Sequence, residues 1–230
     1  MKYGKILEGT FLERPNRFIA HISIQGKTEI CHVKNTGRCR ELLIPGAKVF
    51  VEKADHPSRK TGYDLIAVCK GDTLVNMDSQ APNRVVEEWL RKGNLLEDLT
   101  FLKREVTFGG SRFDLYGEYG QGKKAFLEVK GVTLEQDGVA RFPDAPTERG
   151  VRHLEELVRC KEAGYEAYAI FVIQMKGVHR MEPNWKTHFR FGEALKQAVQ
   201  AGVHVLAYDC RVEPETLVLD APVPVVLSTG

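Results

Sequence analysis

The chain has 230 residues, enough to bury a substantial core in one large domain or two modest ones. An apolar fraction of 43% with 28% charged residues excludes a disordered chain, and no stretch approaches the roughly 20 apolar residues of a membrane span. The net charge of +2 means that any surface for nucleic acid has to be local. The amino terminus lacks the apolar segment of a secretory signal, and Cys31, Cys39, Cys69, Cys160 and Cys210 form no CxxC pair. Reduced thiols and a cytoplasmic protein without a membrane partner are expected.

From Lys5 to Met77 the chain reads as short β segments. Ile6 to Leu12, Arg17 to Ile24, Thr28 to Val33, Lys48 to Lys53, Tyr63 to Cys69 and Thr73 to Asn76 show alternation or β-branched content between turn residues. Strands this short and closely spaced predict a small OB-like β-barrel over residues 1–80. Its basic residues, Arg14, Arg17, Lys34, Arg38, Arg40, Arg59 and Lys60, fall largely in the expected loops. Asn35-Thr36-Gly37-Arg38 is either a phosphate-binding concavity or a sharp turn. Arg38 is the barrel's candidate for binding nucleic acid.

Asp78 to Asn83 ends the β pattern, and Val85, Val86, Trp89 and Leu90 then share one helical stripe that stops at Gly93. After a strand over Phe101 to Val106, Ser111 to Gly131 reads as a β-hairpin whose loop carries Gly117, Gly120 and Gly122. If it is regular and symmetric about Gln121, Asp114 faces Glu128, Arg112 faces Lys130, Phe113 faces Val129 and Leu115 faces Leu127. Alternation then groups Phe113, Leu115, Leu127 and Val129 on an apolar side, with Asp114, Glu128, Lys130 and Arg112 on the other.

Two acids brought close repel unless one is protonated or a cation lies between them. A hard cation such as Mg2+ takes one or two carboxylates and keeps positions for water and phosphate oxygens. A lysine two residues beyond the second acid can hold or help deprotonate the attacking water. The spacing resembles the PD-(D/E)xK nuclease signature, with Asp114 as first acid and Glu128-Val129-Lys130 as ExK. The competing reading is a surface hairpin with cross-strand ion pairs on its solvated side. Helix, strand, strand, strand is also the opening order of that nuclease core. Such cores often add an acid from the first helix, for which Glu87 is the candidate.

In Phe142 to Gly150 two prolines restrain the backbone, and Thr147 is placed to cap a helix with Val151, Leu154, Leu157 and Val158 as its stripe. Asp144, Arg149, Arg152 and His153 gather at its start, where a phosphate contact or ordinary capping would both fit. Tyr165 to Gln174 reads as a central buried strand. Phe191 to Ala201 is then a helix and Val203 to Tyr208 a strand, the crossover that pairs two strands in parallel. The tail, Pro222 to Gly230, reads as loosely held.

NTGR at Asn35 to Arg38, Pro82-Asn83, SRFD at Ser111 to Asp114, LEVKGVTL at Leu127 to Leu134, FPDAPTERGVRHLEEL at Phe142 to Leu157 and FVIQ at Phe171 to Gln174 resemble the sugar fermentation stimulation protein family, SfsA. The resemblance implies an amino-terminal OB-like domain, a PD-(D/E)xK nuclease-like α/β domain over residues 81–230, DNA binding and a link to the regulation of sugar use, notably maltose. Two positions depart from the family pattern: Met175 stands where an arginine usually follows the strand glutamine, and His188 where an acid often precedes the last helix.

Two functions follow from different classes. The first is a Mg2+- or Mn2+-dependent phosphodiesterase on DNA or RNA, DNA being favoured. Asp114, Glu128 and the Val129 carbonyl would hold the metal, Lys130 would act on the water, and Arg149 and His153, with Arg112 and Arg38, would contact phosphate. A homodimer would give one such centre per strand. The second is a DNA-binding regulator that keeps the nuclease-like scaffold without turnover. A nucleotide or other phosphorylated small molecule as ligand is the third reading.

Overall fold

A computed structural model describes residues 1–35, 37–54 and 59–228. The alternating segments of the first half become β1 (Ile6–Asn16), β2 (Ile19–Ile24), β3 (Lys27–Val33), β4 (Lys48–Lys53), β5 (Tyr63–Lys70) and β6 (Thr73–Asn76). Their order is β3-β2-β1-β4-β5-β6, and a parallel pairing of β3 with β5, Cys31 opposite Tyr63 and Val33 opposite Leu65, closes the barrel. The inward sets, among them Phe11, Ile22, Cys31, Val49, Val51, Leu65 and Val68, are fully buried. β1 runs beyond its expected end at Leu12, because irregularities in its pairing with β2 carry the strand through Pro15. Thr36 of the NTGR stretch lies outside the described residues.

The second half comprises α1 (Ala81–Arg91), β7 (Phe101–Phe108), β8 (Ser111–Tyr119), β9 (Lys123–Val132), β10 (Glu135–Gln136), β11 (Val139–Phe142), α2 (Glu148–Glu162), β12 (Glu166–Ile173), β13 (Arg180–Pro183), α3 (Phe189–Gln200), β14 (His204–Glu213) and β15 (Thr216–Pro222). α1 carries Pro82 in its first turn, where no backbone donor is needed. Thr147 caps α2, its hydroxyl accepting from Gly150 N at 3.1 Å. The main sheet has the order β15-β14-β12-β9-β8-β7. Its centre, β9, β12 and β14, is parallel and crossed over by α2 and α3, as the buried run and the following helix predict.

Both faces of this sheet are covered. Val85, Val86 and Leu90 of α1 pack with Leu115, Leu127, Val129, Ile170 and Val172. Val151, Leu154 and Leu157 of α2 and Phe191 and Leu195 of α3 pack with Phe126, Phe171 and Ile173 on the other side. An OB-like barrel followed by a nuclease-like α/β layer structure is thus the observed architecture.

The two ends of the chain meet. The Met1 amino group donates to Leu217 O at 2.6 Å, and Tyr3 N donates to Glu215 O at 2.8 Å. The tail is docked rather than loose as far as Val226: Val223 N reaches Ala207 O at 2.8 Å, and Val226 N reaches Met181 O at 2.9 Å. Its prolines lack donors, but the valines between and after them supply the ones that dock it. A second small sheet, β10-β11-β13, was not legible in the sequence.

Candidate active site

The hairpin keeps its expected register at the tip: Tyr119 opposes Lys123, Gly117 opposes Ala125 and Leu115 opposes Leu127. There the ladder ends. β8 leaves β9 beyond Leu115, while β9 continues alone beside β12 through Val132. On the outer side the β7–β8 pairing skips the position between Arg104–Leu115 and Val106–Phe113, where Glu105 adopts a left-handed φ of +54°.

The departure has two consequences. It breaks the side-chain alternation, so Phe113 joins the α2 side beside Phe126 and His153 while Leu115 stays on the α1 side. The expected grouping of Phe113 with Leu115, Leu127 and Val129 is therefore corrected. It also frees the Val129 amide, whose hydrogen bond is taken by Asp114 Oδ2 at 2.8 Å. Asn83, near the start of α1, donates to Asp114 Oδ1, also at 2.8 Å.

Glu128 is only 2% exposed. Its Oε1 accepts from Lys130 Nζ and from His153 Nδ1, while Oε2 is buried without a partner. Arg149 Nε donates to His153 Nε2 at 3.2 Å. A guanidinium offers no lone pair, so Nε2 is the acceptor and the ring proton sits on Nδ1, aimed at Glu128. His153 is itself 5% exposed and lies behind the carboxylate.

The two acids titrate in opposite directions. Burial, and then the charge of Glu128, pushes the Asp114 carboxyl above its ordinary range, with Lys130 and its hydrogen bonds offsetting only part. Burial pushes Glu128 up too, but the His153 bond and the Lys130 charge outweigh it and hold this carboxyl low. Two carboxylates so placed favour one proton or one added cation. The unsatisfied Oε2 and the adjoining Asp114 fit a cation better than they fit a solvated salt-bridge face, because a buried anionic oxygen without a donor is costly. Among the described residues no three His, Cys, Asp or Glu side chains form a metal cluster.

The remaining candidates have partners of their own. Glu87 bonds Arg91 at 2.8 Å and lies 3.8 Å from Arg104. Arg112 is exposed and 3.5 Å from Glu105. Arg38 is exposed in the barrel, where Arg14 of β1 reaches the carbonyls of Asn35, Gly37 and Arg38. Lys34 and Arg59 are engaged with the buried Asp64 at 3.2 and 2.5 Å, so both are tied by ion pairs to an acid inside the barrel, Arg59 from an exposed position. Asn83 and Gln174 were named in the sequence only as parts of motifs. Gln174 donates to Asn76 Oδ1 at 2.8 Å and Asp78 O at 3.0 Å, joining β12 to the barrel's last strand.

Family models for the SfsA N-terminal OB domain and the sugar fermentation stimulation protein RE domain match residues 12–77 and 80–216 respectively. The chain belongs to the SfsA family. A sugar fermentation stimulation protein homolog of Clostridium beijerinckii is 57% identical over 99% of this chain and 100% of its own length. A second, from Desulfitobacterium hafniense, is 61% identical over 94% of each. The solved structure of Pyrococcus furiosus SfsA in complex with Ca2+ is 29% identical, covers 98% of each chain and superposes with a TM-score of 0.88. Among the described residues no helix is long and apolar enough to cross a membrane.

Proposed function

We propose that this chain is a divalent-cation-dependent nuclease that hydrolyses phosphodiester bonds, with DNA preferred over RNA. The observation that carries the reading is the buried, unpartnered Oε2 of Glu128 beside Asp114, at the point where β8 parts from β9. That a relative sharing this fold is described in complex with Ca2+ supports a cation at this centre. Mg2+ or Mn2+ would be the working ion, and Asp114, Glu128 and the Val129 carbonyl would hold it. When bound it would supply Lewis-acid polarisation of the phosphate.

The chain's own residues have distinct tasks. Lys130 orients the attacking water and eases its deprotonation. His153, held by Arg149, fixes Glu128 so that Oε1 is occupied and Oε2 is the oxygen that would be left to hold a cation. This makes His153 a positioning residue rather than a phosphate ligand, and leaves Arg149, Arg112 and Arg38 as candidate phosphate contacts. Asn83 does for Asp114 what His153 does for Glu128. The division of labour between a barrel to residue 80 that grips nucleic acid and a hydrolytic unit from residue 81 belongs to the same proposal.

A regulator without turnover has no use for two acids near DNA phosphates, which is why the enzyme is preferred. Labelled single- and double-stranded DNA and RNA incubated with Mg2+, Mn2+ or EDTA decide the matter. Metal-dependent products lost in Asp114→Ala and Lys130→Ala, with binding retained, are expected. Binding without products from the wild type in any metal would transfer the reading to the regulator.

A further inference from the structure

Three cavities share lining residues in a row, one on the barrel, one at its junction with the α/β unit and one on the α/β unit itself. The first, about 180 Å³, is lined by Asn35, Gly37 and Ser79 on one side and by Gly131, Thr133 and Arg141 on the other. Gly131 directly follows Lys130 in β9, so this cavity begins one residue along the strand from the candidate active site. The second, about 410 Å³, shares Gly37 with the first and is lined by Arg14, Arg17, Arg38 and Arg40. The third, about 580 Å³, shares Leu134 and Arg141 with the first and extends to Asn184, Trp185 and Lys186.

The two ends of this path differ in chemistry. At the barrel end, Arg14 spends its terminal nitrogens on four carbonyls, those of Arg17, Asn35, Gly37 and Arg38, and so ties the β1–β2 turn, which carries the exposed Arg17, to the segment after β3 that carries the exposed Arg38 and Arg40. Three exposed guanidinium groups on two braced segments suit phosphates. At the far end the indole of Trp185 lies on α3. A Cβ at Gly192 would fall 2.2 Å from the ring, and Lys196 Nζ sits 4.6 Å from its centroid. The ring is thus backed by one helix and forms part of the cavity wall, and its Nε1 is buried without a partner. Three acids line the path: Glu182 is paired with Arg180 at 2.5 Å and Arg141 at 3.6 Å, which removes most of its repulsion for an anionic chain, while the exposed Asp137 and Asp144 confine a phosphate backbone to the arginine side.

We propose that Trp185 is the stacking platform for a base of a single nucleic-acid strand that runs from the barrel arginines, past Gly131, into the cavity beside α3. This rests on the nuclease reading and adds to it the form of the substrate: one unpaired strand on this side of the cleavage centre. A rigid indole with a tolerant π face and a cationic groove upstream is the combination that holds single strands without regard to sequence.

The test is binding in EDTA at fixed salt, with no cleavage measured, so it can fail while metal-dependent hydrolysis stands, and the reverse. The probe is labelled oligothymidine of about 20 nucleotides, longer than the roughly 4–16 covered by one OB fold. Trp185→Ala is expected to weaken binding roughly tenfold or more. Trp185→Phe should restore most of it, and duplex of the same length should bind all three alike. Because the chain has 2 tryptophans, Trp89→Phe leaves Trp185 as the reporter, and oligothymidine should quench its emission without any change at position 185. Equal affinity of wild type and Trp185→Ala, unchanged emission at saturating oligonucleotide, or no binding of oligothymidine by the wild type would each overturn the proposal.

Discussion

Replacing Glu128 by glutamine isolates the electrostatics of the centre while nearly preserving its shape. Oε1 accepts from both Lys130 and His153, so the amide oxygen keeps that position and the new NH2 takes the place of the unpartnered Oε2. Two charge-assisted bonds become weaker, a loss of about 1–1.5 kcal/mol each. Removing the Glu128 charge that helps raise the Asp114 carboxyl returns part of this. The net destabilisation is about 1–2 kcal/mol, a fall in Tm of about 2–8 °C for a chain of this size. The response to cation separates more sharply. At a hundred times its Kd, Mn2+ stabilises the wild type by about 2.7 kcal/mol, or about 5–10 °C. Glu128→Gln, with donors where a ligand oxygen stood, should gain nothing. Thermal unfolding with and without Mg2+, Mn2+ or Ca2+ is the assay. A variant whose Tm climbs with cation as far as the wild type's would refute the assignment of Oε2 to the metal.

Three further outcomes test the scaffold around this centre. Asp64 is buried, and although burial raises its carboxyl, Arg59 and Lys34 hold it below the ordinary range. Its contribution is therefore complete above about pH 4, the unfolded value, and is lost as pH falls through the lower folded value. Urea unfolding from pH 6 to 3 should show a steeper loss of stability in wild type than in Asp64→Asn, and parallel curves would count against the pairing. Thr147→Ala removes the hydroxyl that accepts from Gly150 N at 3.1 Å and should lower stability by about 1 kcal/mol, read as a drop of about 2–4 °C in Tm. Gln174→Leu strands polar atoms of Asn76 and Asp78 at the barrel junction and should lower the urea midpoint by the equivalent of about 1–3 kcal/mol. An unchanged midpoint would mean that this amide does not join the two halves.

Much of this architecture is legible from local physics. The ends of β4 and β6, the Thr147 cap and the parallel pairing of β12 with β14 across α3 follow from period-two alternation, capping chemistry and crossover handedness, all of which act over a few residues or obey a fixed rule. The acid-acid-lysine spacing is legible for the same reason, since a hairpin's register is set at its tip.

What alternation does not encode is where a strand leaves its neighbour. The separation of β8 from β9 at Leu115 depends on Glu105 across the sheet and on what α1 and α2 place on either face. Phe113 changes side there, Asp114 finds the Val129 amide, and His153 arrives behind Glu128 from 25 residues downstream. The docked tail and the cavity wall at Trp185 likewise come from segments distant in sequence. The sequence alone determined the spacing of the two acids and the lysine. The burial that raises one carboxyl, holds the other low and leaves an anionic oxygen unpartnered exists only once two helices close over the sheet, because desolvation belongs to the surroundings of a group and not to its place in the chain.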